Sequence, residues 1–363
     1  MHPGIEHVKV VVTGATGNIG SRLVSALQGD PDVDEIVGIA RRRPADDSSG
    51  VTWVAADLSV DDLSTTLRGA DAVVHLAWLI QPSHDEDVLW RTNVIGTERL
   101  LDACDAAGVG TVVHASSLAA YRPGPKERVD ESWPTDGIAT SAYARAKAYT
   151  ERLLELYEVE HPAVRVVRLR PALVLQRQVA TEIRRLFLGP FLPNRLLRAA
   201  LPVVPDHPGL RFQVVHSSDC AEAFRLAVTL EHARGAYNVA TEPVVDPAML
   251  GRVLGARPVS VPGGLLRGAA DLTWRLRLQP TDPGWVDIVL RTPLLDTTRI
   301  RTELGWEPAR GAEETLDEIV TGIVQGATGH TPPLSREAGG PLRSRELATG
   351  VGGTSGAVPD DPT

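Results

Sequence analysis

Val8-Lys9-Val10-Val11-Val12-Thr13-Gly14-Ala15-Thr16-Gly17-Asn18-Ile19-Gly20 is the stretch whose reading decides the fold. Its first six residues are almost continuously apolar, the pattern of a strand covered on both faces. Three glycines spaced three apart follow, where the strand must turn into a helix. Positions without a side chain let the backbone come close to a pyrophosphate, and the following helix N-terminus favours its negative charge. A glycine triplet alone is a weak signal, because a tight turn also needs one. Here it follows a strand and opens an amphipathic helix over 19–27, the context a dinucleotide site requires. Gly14, Thr16, Gly17, Asn18, Ile19 and Gly20 are the expected cradle for that cofactor.

Outward from this turn the same rhythm repeats. Apolar runs at 35–40, 52–55, 72–76, 111–115 and 165–169 alternate with helical patterns at 63–67, 88–107 and 143–159. Alternation of this kind predicts an α/β, Rossmann-type doubly wound parallel sheet over 1–175. After Pro171 the rhythm changes: residues 176–210 carry arginine and leucine with Pro190, Pro193, Pro202, Pro205 and Pro208, reading as a short helix and an irregular segment. A helix from Asp219, a strand at 236–240 and helices at 247–254 and 265–276 follow. They predict a smaller substrate-binding lobe over 176–330, interleaved with the first unit. From 331 to 363 the chain is rich in Gly, Pro, Ser and Thr without a period, the composition of a disordered tail.

At 363 residues, 43% hydrophobic and 23% charged, the chain can bury a large core. A net charge of −9 argues against a nucleic-acid partner. The longest apolar runs, such as 72–80, fall far short of a membrane span. No charged-then-apolar leader precedes Val8, and two cysteines, Cys104 and Cys220, build no disulfide framework. A cytoplasmic enzyme acting on a small molecule is the expectation. Histidines and carboxylates show no metal-ligand spacing.

A second stretch carries the chemistry. The strand at 111–115 ends in Ser116-Ser117, and a helix opens with Ser141-Ala142-Tyr143-Ala144-Arg145-Ala146-Lys147. Tyr143 and Lys147 are four apart, so phenol and ammonium share one helix face. A lysine beside a phenol favours phenolate and lowers its pKa, making tyrosine a general acid/base near neutral pH. The pairing is unusual here: the only lysines are Lys9, Lys126 and Lys147, and about 0.04 such Tyr–Lys spacings are expected by chance. The bland reading is an exposed helical pair, for which this arginine-rich chain would more naturally use arginine. Ser117 is the candidate to orient the substrate oxygen.

The second strand ends Gly38-Ile39-Ala40-Arg41-Arg42-Arg43. NAD calls for an acidic residue about 20 positions after the glycine motif, to accept from the ribose hydroxyls. Arginine forks instead suit a 2′-phosphate, so Arg41 and Arg42 favour NADP over NAD. A solvated basic loop is the bland alternative. Asp57, after the third strand, is placed to meet the adenine amino group or to cap the helix that follows.

Together these residues resemble the extended short-chain dehydrogenase/reductases, the family that includes NAD-dependent epimerases and dehydratases of nucleotide sugars. The resemblance covers nearly all of 8–325 and rests on an ordered series: the glycine motif, Ala56-Asp57-Leu58, His75-Leu76-Ala77-Trp78, Thr92-Asn93-Val94-Ile95-Gly96-Thr97, Ser116-Ser117, Tyr143 with Lys147, Arg170-Pro171, Asp219 and Leu304-Gly305-Trp306-Glu307-Pro308. It implies Tyr143 as acid/base, Lys147 as its partner and a ribose ligand, and Ser117 as orienter of the substrate oxygen. It also implies that Gly14, Gly17, Gly20, Asp57, Leu58, Leu76, Ala77, Trp78, Asn93 and Pro171 line the cofactor, with Asn93 either a relay or a helix-interior polar group. A homodimer through the helices at 88–107 and 143–159 is a further implication. His75 and His114 read as core histidines.

Departures from the family pattern bear on the substrate. Leu118-Ala119 follows Ser117 where sugar dehydratases of the family place an Asp-Glu pair, which disfavours dehydration. Nucleotide-sugar epimerases carry an arginine seven residues before the aspartate matching Asp219; Phe212 stands there, with Arg211 one step away. Arg184, Arg185 and Arg195 are the candidates to replace it. The expected function is an NAD(P)-dependent oxidoreductase or epimerase acting at a secondary alcohol or ketone carbon, with a nucleotide sugar as one substrate class. The alternatives are an NADPH-dependent carbonyl reductase of a non-sugar substrate and a non-catalytic nucleotide sensor.

Overall fold

The computed structural model describes residues 8–44, 50–80, 84–184, 203–276 and 282–335. Seven strands form one parallel sheet: β1 Val8–Thr13, β2 Val33–Ala40, β3 Thr52–Ala55, β4 Ala72–His75, β5 Thr111–Ala115, β6 Arg165–Pro171 and β7 Gly235–Val239, in the order β7-β6-β5-β4-β1-β2-β3. The strand order reverses at β1, and a ligand crevice forms where such a reversal opens the carboxyl ends of the strands. Eight helices are used below: α1 Asn18–Gln28, α2 Gly96–Ala107, α3 Ala142–Glu160, α4 Ser217–Thr229, α5 Pro247–Leu254, α6 Gly263–Arg275, α7 Pro283–Arg291 and α8 Ala312–Gln325.

The apolar runs of the central strands exist because helices cover both faces. On one side Leu23 and Leu27 of α1 and Phe224 of α4 pack on alternate residues of the strands. On the other, Leu100, Leu101 and Cys104 of α2 and Leu154 of α3 pack on the intervening ones. A third core, with Leu175, Val214, Met249, Leu316 and Ile319, closes the smaller lobe around α5 and α8.

Three details differ from the sequence expectation. The seventh strand and α4 lie beyond residue 175 yet complete the main sheet, since β7 runs in register with β6 from Gly235 opposite Val167 to Val239 opposite Pro171. The single helix expected over 88–107 divides into Glu86–Trp90, a wider π-type turn Arg91–Ile95 and α2. The first five residues of the expected tail, 331–335, pack on the fold instead: Thr331 donates to the Thr16 carbonyl at 2.7 Å and Leu334 is buried in the third core. Residues 336–363, and most of the irregular segment with Pro190, Pro193 and Pro202, lie outside the described residues.

Behind the sheet's carboxyl end, Glu151 of α3 is fully buried and accepts two bonds from Arg170 of β6, both 2.8 Å. Arg170 also donates to the Tyr121 hydroxyl and the Glu131 carbonyl, so every charged edge has a partner. Burial raises the Glu151 pKa, but Arg170 outweighs it and holds the carboxyl below the ordinary glutamate range. Its stabilisation is therefore complete above about pH 4.3 and is lost as acid carries the pH below the native pKa. Removing one charge of a buried pair leaves the other uncompensated. Glu151→Gln should lower the unfolding free energy by about 3 kcal/mol or more, measured by urea denaturation. A loss under about 1 kcal/mol would show that Arg170 finds solvent instead.

Candidate active site

The glycine turn leaves no room for side chains. Gly14 has φ +68°, and a Cβ there would lie 2.6 Å from the Ala77 backbone nitrogen. A Cβ on Gly20 would lie 2.2 Å from the Gly14 carbonyl oxygen. Gly17 N–H donates to that same carbonyl at 2.9 Å, closing the turn, while Gly14 and Ala15 donate to the Ile39 carbonyl of β2. The α1 N-terminus begins at Asn18 with no side-chain cap and no acidic residue in its first turn. Orphan N–H groups and a positive helix end suit a pyrophosphate, so the cradle fits the dinucleotide read from the sequence.

The cradle residues divide by role. The Asn18 side chain faces the smaller lobe: it donates to the Val174 carbonyl and accepts from Gln176 and Ser217. Only its backbone is left for a phosphate. Thr16 is buried, and Ile19 packs on the first core. Arg41 and Arg42 stand exposed just past β2, beside the glycine turn. The Asp57 carboxylate accepts from the Ser59 amide and hydroxyl at 2.9 and 2.6 Å, a local turn that does not cap the helix Ser64–Leu67, whose N-cap is Leu63. Leu58 is core, packed against Gly96. Pro171 ends β6 opposite Val239.

The segment after β4 is held from below. His75 is buried between the Thr13 and Thr97 hydroxyls at 2.8 and 2.9 Å, and burial pushes its pKa down to about 3. It is a satisfied structural histidine, and His114 beside it is likewise buried in the interior. Leu76 N–H donates to the Thr13 carbonyl, and Ala77 N–H to the Thr13 hydroxyl at 3.3 Å. Asn93 clamps Leu79 through both its amide groups at 2.7 and 3.0 Å. That makes Asn93 a positioning group for this loop. The buried Trp78 indole N–H has no hydrogen-bond partner among the described residues.

Ser117, Tyr143 and Lys147 converge, but not with the electrostatics read from their spacing. Ser117 is buried at the end of β5 and caps a short turn by accepting from the Ala119 amide. Tyr143 stands in the first turn of α3, partly buried against Trp285 at 4.8 Å between ring centroids and edge-on to Trp78 at 6.2 Å. Lys147 points inward, donating to the Ala115 carbonyl at 2.6 Å, with the Trp78 ring 3.3 Å from its ammonium. The Tyr143 ring centroid is 5.9 Å away. Burial pushes the Tyr143 phenol up to about 12, opposed only by a hydrogen bond with Ser117. Burial also holds Lys147 well below the ordinary lysine range, against the pull of Glu151 one turn further along α3. The spacing predicts a lowered phenol; burial sets the opposite direction here, with the Lys147 ammonium 5.9 Å from the ring centroid.

Tyr143 opens onto a cavity of about 490 Å³ that the sequence reading did not anticipate. Its described walls come from the loop after β4, the helix Glu86–Trp90, the start of α3, α6 and α7, and include Trp90, Trp274 and Trp285. His84 stacks on Trp274 at 3.8 Å. Nothing local in sequence marks these residues, because they lie up to 200 positions apart. Asp219, read as a family position, is a structural group: its carboxylate accepts from the Arg310 amide and its carbonyl from the Trp306 indole.

The family profile described as NAD dependent epimerase/dehydratase matches residues 10–240. An uncharacterized protein of Mycobacterium tuberculosis (strain ATCC 25618 / H37Rv) is 28% identical over 320 residues, which is 87% of this chain and 30% of that protein. The chain thus spans less than a third of the length of the first curated relatives it matches. A putative dihydroflavonol 4-reductase of Synechocystis is 31% identical over 150 residues, covering 39% of this chain and 42% of that one. Among solved structures, a Thermus thermophilus UDP-glucose 4-epimerase in complex with NAD has the same fold, with a TM-score of 0.65 and 24% identity over 88% of this chain and 100% of that one. With glycine cradle, sheet order and profile in agreement, the chain belongs to the NAD dependent epimerase/dehydratase family of enzymes.

Proposed function

We propose that this protein interconverts a secondary alcohol and its ketone, as net redox or as the transient step of an epimerisation, with Tyr143 as the acid/base. The observation that carries the reading is the position of Tyr143, beside Ser117 and open to the cavity, edge-on to Trp78 of the loop that abuts the glycine cradle. The dinucleotide, when bound, supplies the hydride donor or acceptor. The protein's part is the proton and the geometry. A phenol held near 12 is neutral at pH 7, so it donates a proton to a carbonyl oxygen without first having to be recharged. Ser117 orients that oxygen, and Lys147, anchored on Ala115, keeps a positive charge or a donor behind the phenol.

NADP is our proposed cofactor and NAD the alternative. The exposed pair Arg41 and Arg42 supports NADP, and the NAD held by the Thermus relative supports the alternative. A homodimer is proposed through α2 and α3, where Tyr149, Leu156 and Val159 are exposed. No helix among the described residues is long and apolar enough to cross a membrane. A cytoplasmic location remains our proposal, supported by two free, buried cysteines.

Three outcomes test this reading. Tyr143→Phe should lower kcat by roughly a hundred- to ten-thousand-fold while leaving the dissociation constant of the dinucleotide nearly unchanged; unaltered turnover would remove Tyr143 from the chemistry. Because the base form of a phenol near 12 grows with pH, alcohol oxidation should climb about tenfold per unit from about pH 7 to about pH 10. A plateau near neutrality would instead restore the lysine-lowered phenol. Finally, replacing Arg41 and Arg42 together by serine should raise KM for NADPH about tenfold or more and that for NADH less than about threefold. Equal effects on both would leave the arginines as solvated surface groups.

A further inference from the structure

The walls of the catalytic cavity are aromatic and its charge is negative. Tyr143 shares it with Trp90, Trp274 and Trp285, and Leu79 and Ile80 add apolar surface from the loop after β4. Trp285 lies against the Tyr143 ring itself, so a ligand presenting its carbinol carbon to the phenol extends along indole faces. Four carboxylates, Glu86, Asp87, Asp271 and Asp282, line the same space. The two arginines among its described residues are both engaged: Arg145 with Glu86, and Arg275 with Asp271 at 3.0 Å. Among the described lining residues, two acidic groups therefore remain in excess. A pyrophosphate needs cations and would meet a like-charged wall in a confined space.

The position expected to supply such a cation points the same way. Phe212 holds it, with its backbone paired to Val245 and its ring against the third core, and Arg211 is exposed. Arg184 is buried at the start of the smaller lobe, while Arg185 and Arg195 lie outside the described residues.

We propose that this cavity takes an aromatic-bodied secondary alcohol or ketone that carries no phosphate. The inference rests on the reading of Tyr143 as the acid/base and narrows it from any carbinol to an uncharged aryl one. Aromatic stacking supplies the contact area, and the acidic rim excludes anions, so selection comes from attraction and rejection together.

The full-length chain is titrated with benzylacetone beside NADPH, and separately NADH, and with UDP-glucose, an alcohol that needs a hydride acceptor, beside NADP+, and separately NAD+. Quenching of tryptophan fluorescence reports binding; dinucleotide absorbance, with chromatography of the nucleotide sugar for epimerisation, reports turnover. Benzylacetone should bind at least about tenfold more tightly than UDP-glucose, and Trp285→Ala should weaken it about tenfold. Asp87→Lys, an exposed change, should raise the affinity for UDP-glucose about threefold or more relative to that for benzylacetone. Tighter binding of UDP-glucose than of benzylacetone by the unaltered chain overturns the proposal, as does turnover of UDP-glucose alone. The two layers separate cleanly. Benzylacetone binding that follows both variants without dinucleotide turnover supports the cavity's preference and removes the alcohol–ketone reading. Turnover of UDP-glucose does the reverse.

Discussion

No side chain fits between the first turn of this chain and the loop that follows its fourth strand. The Gly14 backbone lies so close to Ala77 that one added methyl would collide with peptide atoms, and Gly20 meets the Gly14 carbonyl in the same way. That double contact draws the α1 N-terminus, the end of β2 and the loop after β4 into one crevice at the sheet's carboxyl edge. It also fixes where Trp78 and Leu79 emerge, and through them which space Tyr143 faces. Every later feature of the site inherits this spacing.

Within the crevice, burial and charge compete, and burial wins at Tyr143. An ammonium in the next turn would lower a phenol's pKa in water-like surroundings, but here the tryptophans desolvate both partners. The result is a phenol that keeps its proton and a lysine fixed by a carbonyl and an indole face. One helical turn further the balance reverses, because Glu151 has two guanidinium bonds to set against its desolvation. The same helix thus holds a neutral phenol at its mouth and a charged, structural pair at its base.

The sheet was legible because strands buried on both faces must read as unbroken apolar runs, and those runs stand out in 8–13, 72–75 and 111–115. The cradle was legible because glycine spacing reflects a steric demand local to the turn. What escaped was set by distant contacts. Nothing near Gly235 says that it will extend the sheet past β6, and nothing near Asn93 says that its clamp on Leu79 will widen the helix around it. Asn18 and Asp57 sit where the motif puts them, yet their side chains are taken by Val174 and by Ser59. Trp285 became a cavity wall through the packing of α7 on the mouth of α3, and Trp274 through that of α6 on α7, which no periodicity encodes.

The account stands on a dinucleotide whose reactive ring lies beside the Tyr143 oxygen. A crystal structure of the protein with NADPH measures this directly. The account predicts the pyrophosphate on the amides between Gly14 and Gly20 and the reactive ring carbon close enough to leave a substrate carbon about 3–3.5 Å from it while that substrate's oxygen touches the phenol. A ring bound elsewhere, with Trp78 and Trp285 still closed over Tyr143, would contradict it.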